Sequence, residues 1–83
     1  MLIDILNRID QYRALRTDHL DELLVINAKC LRALRKLHTI EAYNEWRTQN
    51  DLIPVSPRRT WRECFVITRE TIEALNTVLN ERV

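Results

Sequence analysis

The residues of this chain with the most chemical character lie in one short segment, Ser-Pro-Arg-Arg-Thr-Trp-Arg at positions 56–62. Arg58, Arg59 and Arg62 fall within the first two turns of the helix that this segment is expected to begin. The N-terminus of a helix is partly positive and has free N–H groups, so arginines there indicate an anion nearby, such as a phosphate or an acidic protein surface. Trp61 beside them could stack on a base or a sugar. The segment is therefore a candidate ligand- or partner-binding site.

The same arginines have an ordinary explanation within the chain itself. Glu41, Glu45 and Asp51 precede the proline-containing connector and could form ion pairs with the arginines after folding. Exposed ion pairs of this kind are common and contribute little to stability. We favour this explanation over a binding site. If the segment does form a binding site, its ligand is a protein partner or a nucleotide-like molecule.

A second group of basic residues repeats at i, i+3 and i+7, namely Lys29, Arg32 and Lys36. A basic ridge on a helix could contact a nucleic-acid backbone, in which case binding would weaken steeply with salt. The chain has 13 basic and 12 acidic residues and a net charge of +1, whereas nucleic-acid binders usually carry a clear basic excess. The ridge is therefore interpreted first as a solvated face.

The cysteines, histidines and carboxylates do not predict catalysis or a metal site. Cys30 and Cys64 lie on apolar faces outside any CxxC pair and are expected to pack as small hydrophobic residues. His38, Glu41 and Glu45 share one face, but helical di-metal sites draw their ligands from several helices. The sequence contains no glycine-rich phosphate loop and no Ser/His/Asp arrangement. We expect a protein that is not an enzyme and has no cofactor.

Length and composition indicate one small domain, residues 1–83. Apolar residues make up 46% of the chain, yet no run approaches the roughly 18 to 20 apolar residues of a membrane-spanning helix. The first residues carry acids and lack a small-residue cleavage site, unlike a secretory signal. We therefore expect a cytoplasmic protein with reduced thiols and no membrane partner.

The pattern of apolar residues predicts an all-α fold. Glycine is absent and both prolines, Pro54 and Pro57, lie in one connector. Apolar residues recur at helical spacing on both sides of it, and Ser56–Pro57 has the pattern of an N-cap followed by the first helical residue. The prediction is an antiparallel hairpin of helices 18–49 and 57–81, with an N-terminal helix over 2–16.

The helix predicted over 18–49 carries a second apolar stripe beside its main one. A helix packed on one neighbour needs a single apolar face, so the extra stripe predicts an association surface and a homo-oligomer. Asn27, placed among leucines, could fix the register of such an assembly. The predicted oligomer interface consists of Ile26, Asn27, Ala33, Leu37, Ile40 and Tyr43.

These features favour a non-catalytic interaction module that binds a partner protein. Compact, glycine-free helical proteins of this length are familiar among phage and mobile-element regulators and inhibitors, which is an analogy and not a deduction. The alternative is an oligomeric binder of an anionic ligand, such as a cyclic nucleotide, held by the arginines of 56–62 and Trp61; its outline is similar to that of phage proteins that sequester such signals. A third hypothesis is nucleic-acid binding through the Lys29–Lys36 ridge.

Overall fold

The structure, a computed structural model, describes the backbone of residues 2–83 and the side chains of residues 7–83. The described residues form helices and connections and contain no strand, so the predicted all-α fold is confirmed. Residues 2–6 of the predicted N-terminal helix have side chains outside the described part. The four helices are α1 (Leu2–Arg13), α2 (Thr17–Lys36), α3 (Ile40–Gln49) and α4 (Trp61–Glu81).

The longest helices, α2 and α4, pack against each other in opposite directions. Trp61, the first residue of α4, donates its indole N–H to the backbone carbonyl of Leu34, near the end of α2, at 2.7 Å. Leu75 and Val78, late in α4, share a buried cluster with Leu20, early in α2. The helices therefore run antiparallel along most of their length.

The first helix lies along α4 in the same direction. The Arg8 guanidinium donates to the Thr71 hydroxyl at 3.1 Å, and the Arg13 guanidinium contacts the Glu81 carboxylate at 2.7 Å. Arg82 donates to the backbone carbonyls of Tyr12 and Arg13 at the end of α1, at 3.4 and 2.9 Å. Arginines of α1 and the arginine that follows α4 thus hold the two helices together.

The core consists of two clusters, one at each end of the bundle. The cluster of α1, α2 and α4 is built on Leu20, Leu75 and Val78. We call this region the α1 end. The second cluster joins α2, α3, the connector and α4, and we call that region the α3 end. Its buried residues are Cys30, Ala33, Leu34, Tyr43 and Cys64.

The predicted continuous helix over 18–49 is wrong, because the helix is interrupted at residues 37–39. Leu37 and Thr39 have extended backbone conformations, with φ/ψ of −109/103° and −125/151°. The Thr39 hydroxyl accepts a hydrogen bond from the Ala42 N–H at 3.2 Å and so caps α3. The break lets α3 change direction, which places Tyr43 in the core at 1% exposure.

The predicted start of the last helix at residue 57 is also wrong, because α4 begins at Trp61. Thr60 and Glu63 form a capping box, in which each side chain accepts the backbone N–H of the other residue. Ser56 and Pro57 instead open a turn, closed by a hydrogen bond from the Arg59 N–H to the Ser56 carbonyl at 3.0 Å. Proline fits the second position of a turn as well as it fits the start of a helix.

The first helix is shorter than the predicted 2–16, since it ends at Arg13. The backbone N–H groups of Ala14 and Leu15 bond to the carbonyls of Gln11 and Tyr12, which closes the helix in a tight turn. Leu15 is half-buried against the cluster of the α1 end. The turn thus fixes both the end of α1 and the entry into α2.

Candidate functional site

The break between α2 and α3 opens a cleft between the two helices. Its volume is about 380 Å³. Three of its lining residues are basic and come from α2, and the rest are apolar or aromatic. We call this cleft the basic groove. It is lined by Lys29, Arg32, Ala33, Lys36, Leu37 and Trp46.

The three cations of the basic groove have no acidic partner within the part of the chain whose side chains are described. Lys29, Arg32 and Lys36 are all exposed, and no carboxylate in residues 7–83 lies within ion-pair distance of them. Like charges on neighbouring turns of a helix repel each other. The groove therefore presents concentrated positive charge beside an apolar floor, which suits an occupant with both acidic and apolar groups.

The α3 wall of the groove is held by an aromatic stack. The ring of Trp46 lies parallel to that of Tyr43, with centroids 5.9 Å apart and planes 13° apart. Tyr43 is buried, its hydroxyl accepts a hydrogen bond from Arg47 at 3.1 Å, and the Arg47 guanidinium lies 5.5 Å from the ring centroid. Burial raises the pKa of Tyr43 to about 12. The wall thus has a fixed shape and a neutral phenol at its base.

The groove continues toward the end of α3 in a second depression of about 270 Å³. Asp51 on its rim has a φ of 59°, in the left-handed region that non-glycine residues rarely adopt. The Leu52 N–H bonds to the Arg47 carbonyl at 2.8 Å, and the Asp51 N–H bonds to the Thr48 carbonyl at 3.3 Å. This is a Schellman motif with aspartate in the position that usually holds glycine.

Two polar side chains of α3 anchor the connector that follows. The Asn44 side-chain amide bonds to both backbone groups of Val55, donating at 3.1 Å and accepting at 2.9 Å. Arg47 donates to the Ile53 carbonyl at 2.7 Å. A segment without regular structure is thereby fixed against α3, and its residues Leu52 and Val55 pack on the core.

The predicted arginine site is arranged differently from the expectation. Arg58 and Arg59 precede α4, so only Arg62 lies in its first turn, beside the favourable acid Glu63. The expected ion pairs to Glu41, Glu45 or Asp51 do not occur among the described side chains. The arginines remain exposed.

Trp61 has a structural role at this position. Its indole N–H donates to the Leu34 backbone carbonyl. The centroid of its ring system lies 5.3 Å from the Phe65 ring centroid and 6.0 Å from the His38 ring centroid. Cys64 nearby is buried and free, and burial raises the pKa of its thiol. Trp61 is therefore less available for stacking on a ligand than the sequence suggests.

The predicted interface residues have different surroundings. Ala33 and Tyr43 are buried within the chain, and Leu37 and Ile40 are half-buried against the same cluster. Ile26 is 39% exposed. The Asn27 amide donates to the Leu23 carbonyl of its own helix at 2.8 Å. The chain thus covers much of the second stripe itself by folding α3 back.

Sequence reasoning did not identify Asn44 and Arg47, and it did not combine the basic ridge with Trp46. The signal that could have done so is Thr39, an N-cap residue followed by the acid Glu41, which together mark a helix start. With a break at Thr39, Trp46 falls on a separate helix that can stand opposite Lys29. Without it, the two residues share one straight helix and form no cleft.

Among the described residues, no group of three His, Cys, Asp or Glu side chains is placed to hold a metal ion. No described helix has the length and hydrophobicity needed to cross a membrane. Comparison of the chain with protein-family models, with curated proteins and with solved structures finds no significant match.

Proposed function

We propose that this protein is a non-catalytic helical interaction module whose partner site is the basic groove. The partner is a protein segment that carries acidic side chains next to an apolar one. The observation that supports this proposal is the convergence of Lys29, Arg32 and Lys36, which have no acidic partner among the described side chains, on an apolar floor that includes Trp46. Amphipathic helices commonly dock in such grooves by their apolar face, with charges at the rim setting orientation.

The dimensions of the groove support a peptide segment as its occupant. It is an open cleft between two helices and it continues past Trp46 to Leu52, so it is elongated. Tyr43, Asn44 and Arg47 hold its α3 wall, which lowers the ordering cost of binding. We also propose that the chain forms a homo-oligomer and that the antiparallel hairpin of α2 and α4 is the framework of each protomer.

The test uses a synthetic helical peptide with glutamates flanking leucines at helical spacing, and a matched peptide in which lysines replace the glutamates. We expect the acidic peptide to bind and to change the fluorescence of Trp46, and the basic peptide to do neither. The triple variant Lys29→Ala, Arg32→Ala, Lys36→Ala should weaken binding about tenfold or more, since each exposed pair contributes up to about 1 kcal/mol. A Trp46→Phe variant assigns the fluorescence change, because Trp61 also emits.

Two controls separate this proposal from the other hypotheses. The variant Arg58→Ala, Arg59→Ala should bind the acidic peptide as the unaltered chain does. A thermal shift with nucleotides that is lost in Arg58→Ala or Arg62→Ala would instead favour the anionic-ligand hypothesis. Binding to a DNA duplex that falls steeply with salt would favour the nucleic-acid hypothesis. Equal binding of both peptides would contradict the proposed role of the groove.

A further inference from the structure

The exposed side of α2 continues beyond the basic groove into an acidic and apolar half. A depression of about 370 Å³ lies over the first half of the helix, lined by Asp21, Glu22, Val25 and Ile26. Val25 is 54% exposed and Ile26 is 39% exposed. With Lys29, Arg32 and Lys36, these residues recur at helical spacing and share one side of α2, opposite the buried Leu20, Cys30 and Leu34. We call this side the outer face of α2.

The outer face is self-complementary when two copies meet in opposite directions. Its acidic residues precede its apolar pair, and its basic residues follow that pair. An antiparallel α2 from a second copy therefore places acids against cations twice, as a twofold interface requires. A parallel arrangement would place like charges together.

The register of this pairing follows from the residue positions. If Glu22 opposes Arg32, the twofold axis passes position 27, midway between them. The same register opposes Asp18 to Lys36 and brings Val25 and Ile26 of both copies together around the axis. Asp18 lies on the same side of the helix, where it forms an exposed ion pair with Arg16 at 3.2 Å.

The basic groove provides the second wall that such a pairing needs. Leu37 and Trp46 stand beside the basic half of α2. A helix from a second copy would therefore lie between α2 and α3 and contact both. Its Val25 and Ile26 supply the apolar groups, and its Asp21 and Glu22 supply the acids, that the groove is proposed to recognise.

The charge order alone has a simpler explanation, since acids early and cations late in a helix also complement its dipole. The dipole does not account for Val25 and Ile26, two branched apolar side chains exposed side by side between the charged halves. A second copy accounts for the apolar pair and for both charged halves.

We therefore propose that the first occupant of the basic groove is the α2 helix of a second copy of this chain, in an antiparallel twofold dimer. This inference rests on the proposed function, because it takes the groove to be a docking site. An external acidic partner would compete with the second copy for the same groove. Dimerisation would then regulate partner binding.

The test uses two full-length variants with opposite charge reversals. The variant Asp21→Lys, Glu22→Lys gives both sides of the apolar pair lysine or arginine, and the variant Lys29→Glu, Arg32→Glu gives both sides acids; Asp18 and Lys36 are unchanged in each. Size exclusion with light scattering measures the mass of each sample. The unaltered chain should be a dimer and each variant alone a monomer. An equimolar mixture of the two variants should form a heterodimer. The mixture also controls for folding, because a variant that failed to fold would not restore association.

A matched reversal on another helix, Glu70→Lys with Glu73→Lys on α4, changes the net charge by the same amount as Asp21→Lys, Glu22→Lys. This control should leave the dimer intact. A monomeric unaltered chain at high concentration, or two variants that remain dimeric, would overturn the inference. So would a mixture that stays monomeric while each variant is folded by circular dichroism.

The acidic peptide described above distinguishes this inference from the proposed function. The Asp21→Lys, Glu22→Lys variant keeps its groove, so it should bind the peptide at least as tightly as the unaltered chain. Peptide binding without dimerisation would refute the dimer and leave the interaction module standing. If the chain dimerises but its dissociated monomer does not bind the acidic peptide, the external acidic partner would be refuted instead.

Discussion

The two ends of this molecule are held together by different physical means. At the α1 end, the buried cluster of Leu20, Leu75 and Val78 is aliphatic, and its polar contacts lie at the surface, where Arg13 bonds to Glu81. At the α3 end, polar groups contact the core itself, as in the bond from Arg47 to the Tyr43 hydroxyl. Both ends have directional hydrogen bonds, but those of the α1 end join exposed or half-buried side chains, whereas the bond from Arg47 reaches a buried side chain of the core.

This difference coincides with the position of the candidate site. A groove between two helices keeps its shape only if the backbone on both sides is fixed, and burial alone specifies position loosely. Asn44 and Arg47 fix the connector, and the Tyr43–Trp46 stack fixes the wall. The hydrogen bonds of Arg8, Arg13 and Arg82 at the α1 end instead join α1 to α4 and to the residue that follows it, and these arginines do not line the groove. Under the proposed function, the contacts of the α3 end position the binding site, whereas those of the α1 end hold α1 against α4.

The largest expected effect comes from truncating one leucine at each end of the same helix. Leu20 and Leu34 are both at 0% exposure on α2, so Leu20→Ala and Leu34→Ala should each lower the free energy of unfolding by about 2–5 kcal/mol. Only Leu34→Ala should also change the tryptophan fluorescence of the folded state, because the Leu34 side chain lies in the same cluster as Trp46 and Trp61. Urea titration followed by fluorescence and by circular dichroism measures both. Equal fluorescence changes would show that the ends are not separable.

The next effect concerns the anchor of the connector. Asn44→Ala removes two hydrogen bonds to Val55 and leaves its half-buried backbone groups without these partners, so it should cost about 1–3 kcal/mol. It should also weaken acidic-peptide binding, because the groove wall loosens. Asn76→Ala, at an exposed position on α4, is the control and should change stability little. An Asn44→Ala variant as stable as the control would show that the hydrogen bonds of Asn44 do not stabilise the α3 end.

The part of the fold that the sequence predicted is the part that depends on burial. Apolar periodicity identified α4 and the main face of α2, because residues such as Leu34 and Leu75 repeat at helical spacing. The helix ends were less predictable. Ser56–Pro57 and Thr60–Glu63 both resemble helix starts, and the reciprocal bonds of the capping box outweigh a single cap followed by proline.

The groove could not be predicted because it depends on a break that local propensity does not mark strongly. Leu37, His38 and Thr39 are neither glycine nor proline, and the main signal is the N-cap residue Thr39. The cations of the ridge were identified, but the wall opposite them requires the change in chain direction. The contacts of Asn44 and Arg47 join residues 6 to 11 positions apart through an irregular connector, which periodicity does not address.

The buried phenol at the α3 end should make this region sensitive to alkali. Because burial raises the pKa of Tyr43 to about 12, the unfolded chain loses its phenolic proton at lower pH than the folded chain. The stabilisation is complete below the unfolded pKa of about 10 and is lost as pH rises toward the folded value. Tyr43→Phe removes the Arg47 bond, so it should lower the free energy of unfolding by about 0.5–1.5 kcal/mol at neutral pH. It should also remove the part of the alkaline dependence that is due to Tyr43 and leave the part due to the buried Cys64 thiol, whose pKa is raised as well. Urea midpoints between pH 9 and 12 measure how the stability of each protein depends on pH. An unchanged dependence in Tyr43→Phe would show that other groups cause the alkaline loss of stability.

A smaller effect is expected where the chain lacks a glycine that its backbone conformation favours. Asp51 is held at a φ of 59° at the end of α3, so Asp51→Gly should raise the free energy of unfolding by about 0.5–1 kcal/mol. Asp51→Val should lower it, since a β-branched residue fits the left-handed region poorly. Thermal unfolding of both variants measures the change. A destabilised Asp51→Gly variant would show that the carboxylate has a role in the groove rim.

The smallest expected effect lies at the α1 end, where Arg13 holds the pKa of Glu81 below its usual range. The folded carboxyl therefore binds its proton at lower pH than the unfolded one, whose pKa is about 4.3. The contribution of the pair is present above that value and is lost as pH falls through the folded pKa. Both side chains are exposed, so salt should reduce the effect. Glu81→Gln should remove this acid dependence while leaving acidic-peptide binding at the opposite end unchanged. If Glu81→Gln instead weakened peptide binding, the two ends would be coupled through α4, and the separation of stability from binding would fail.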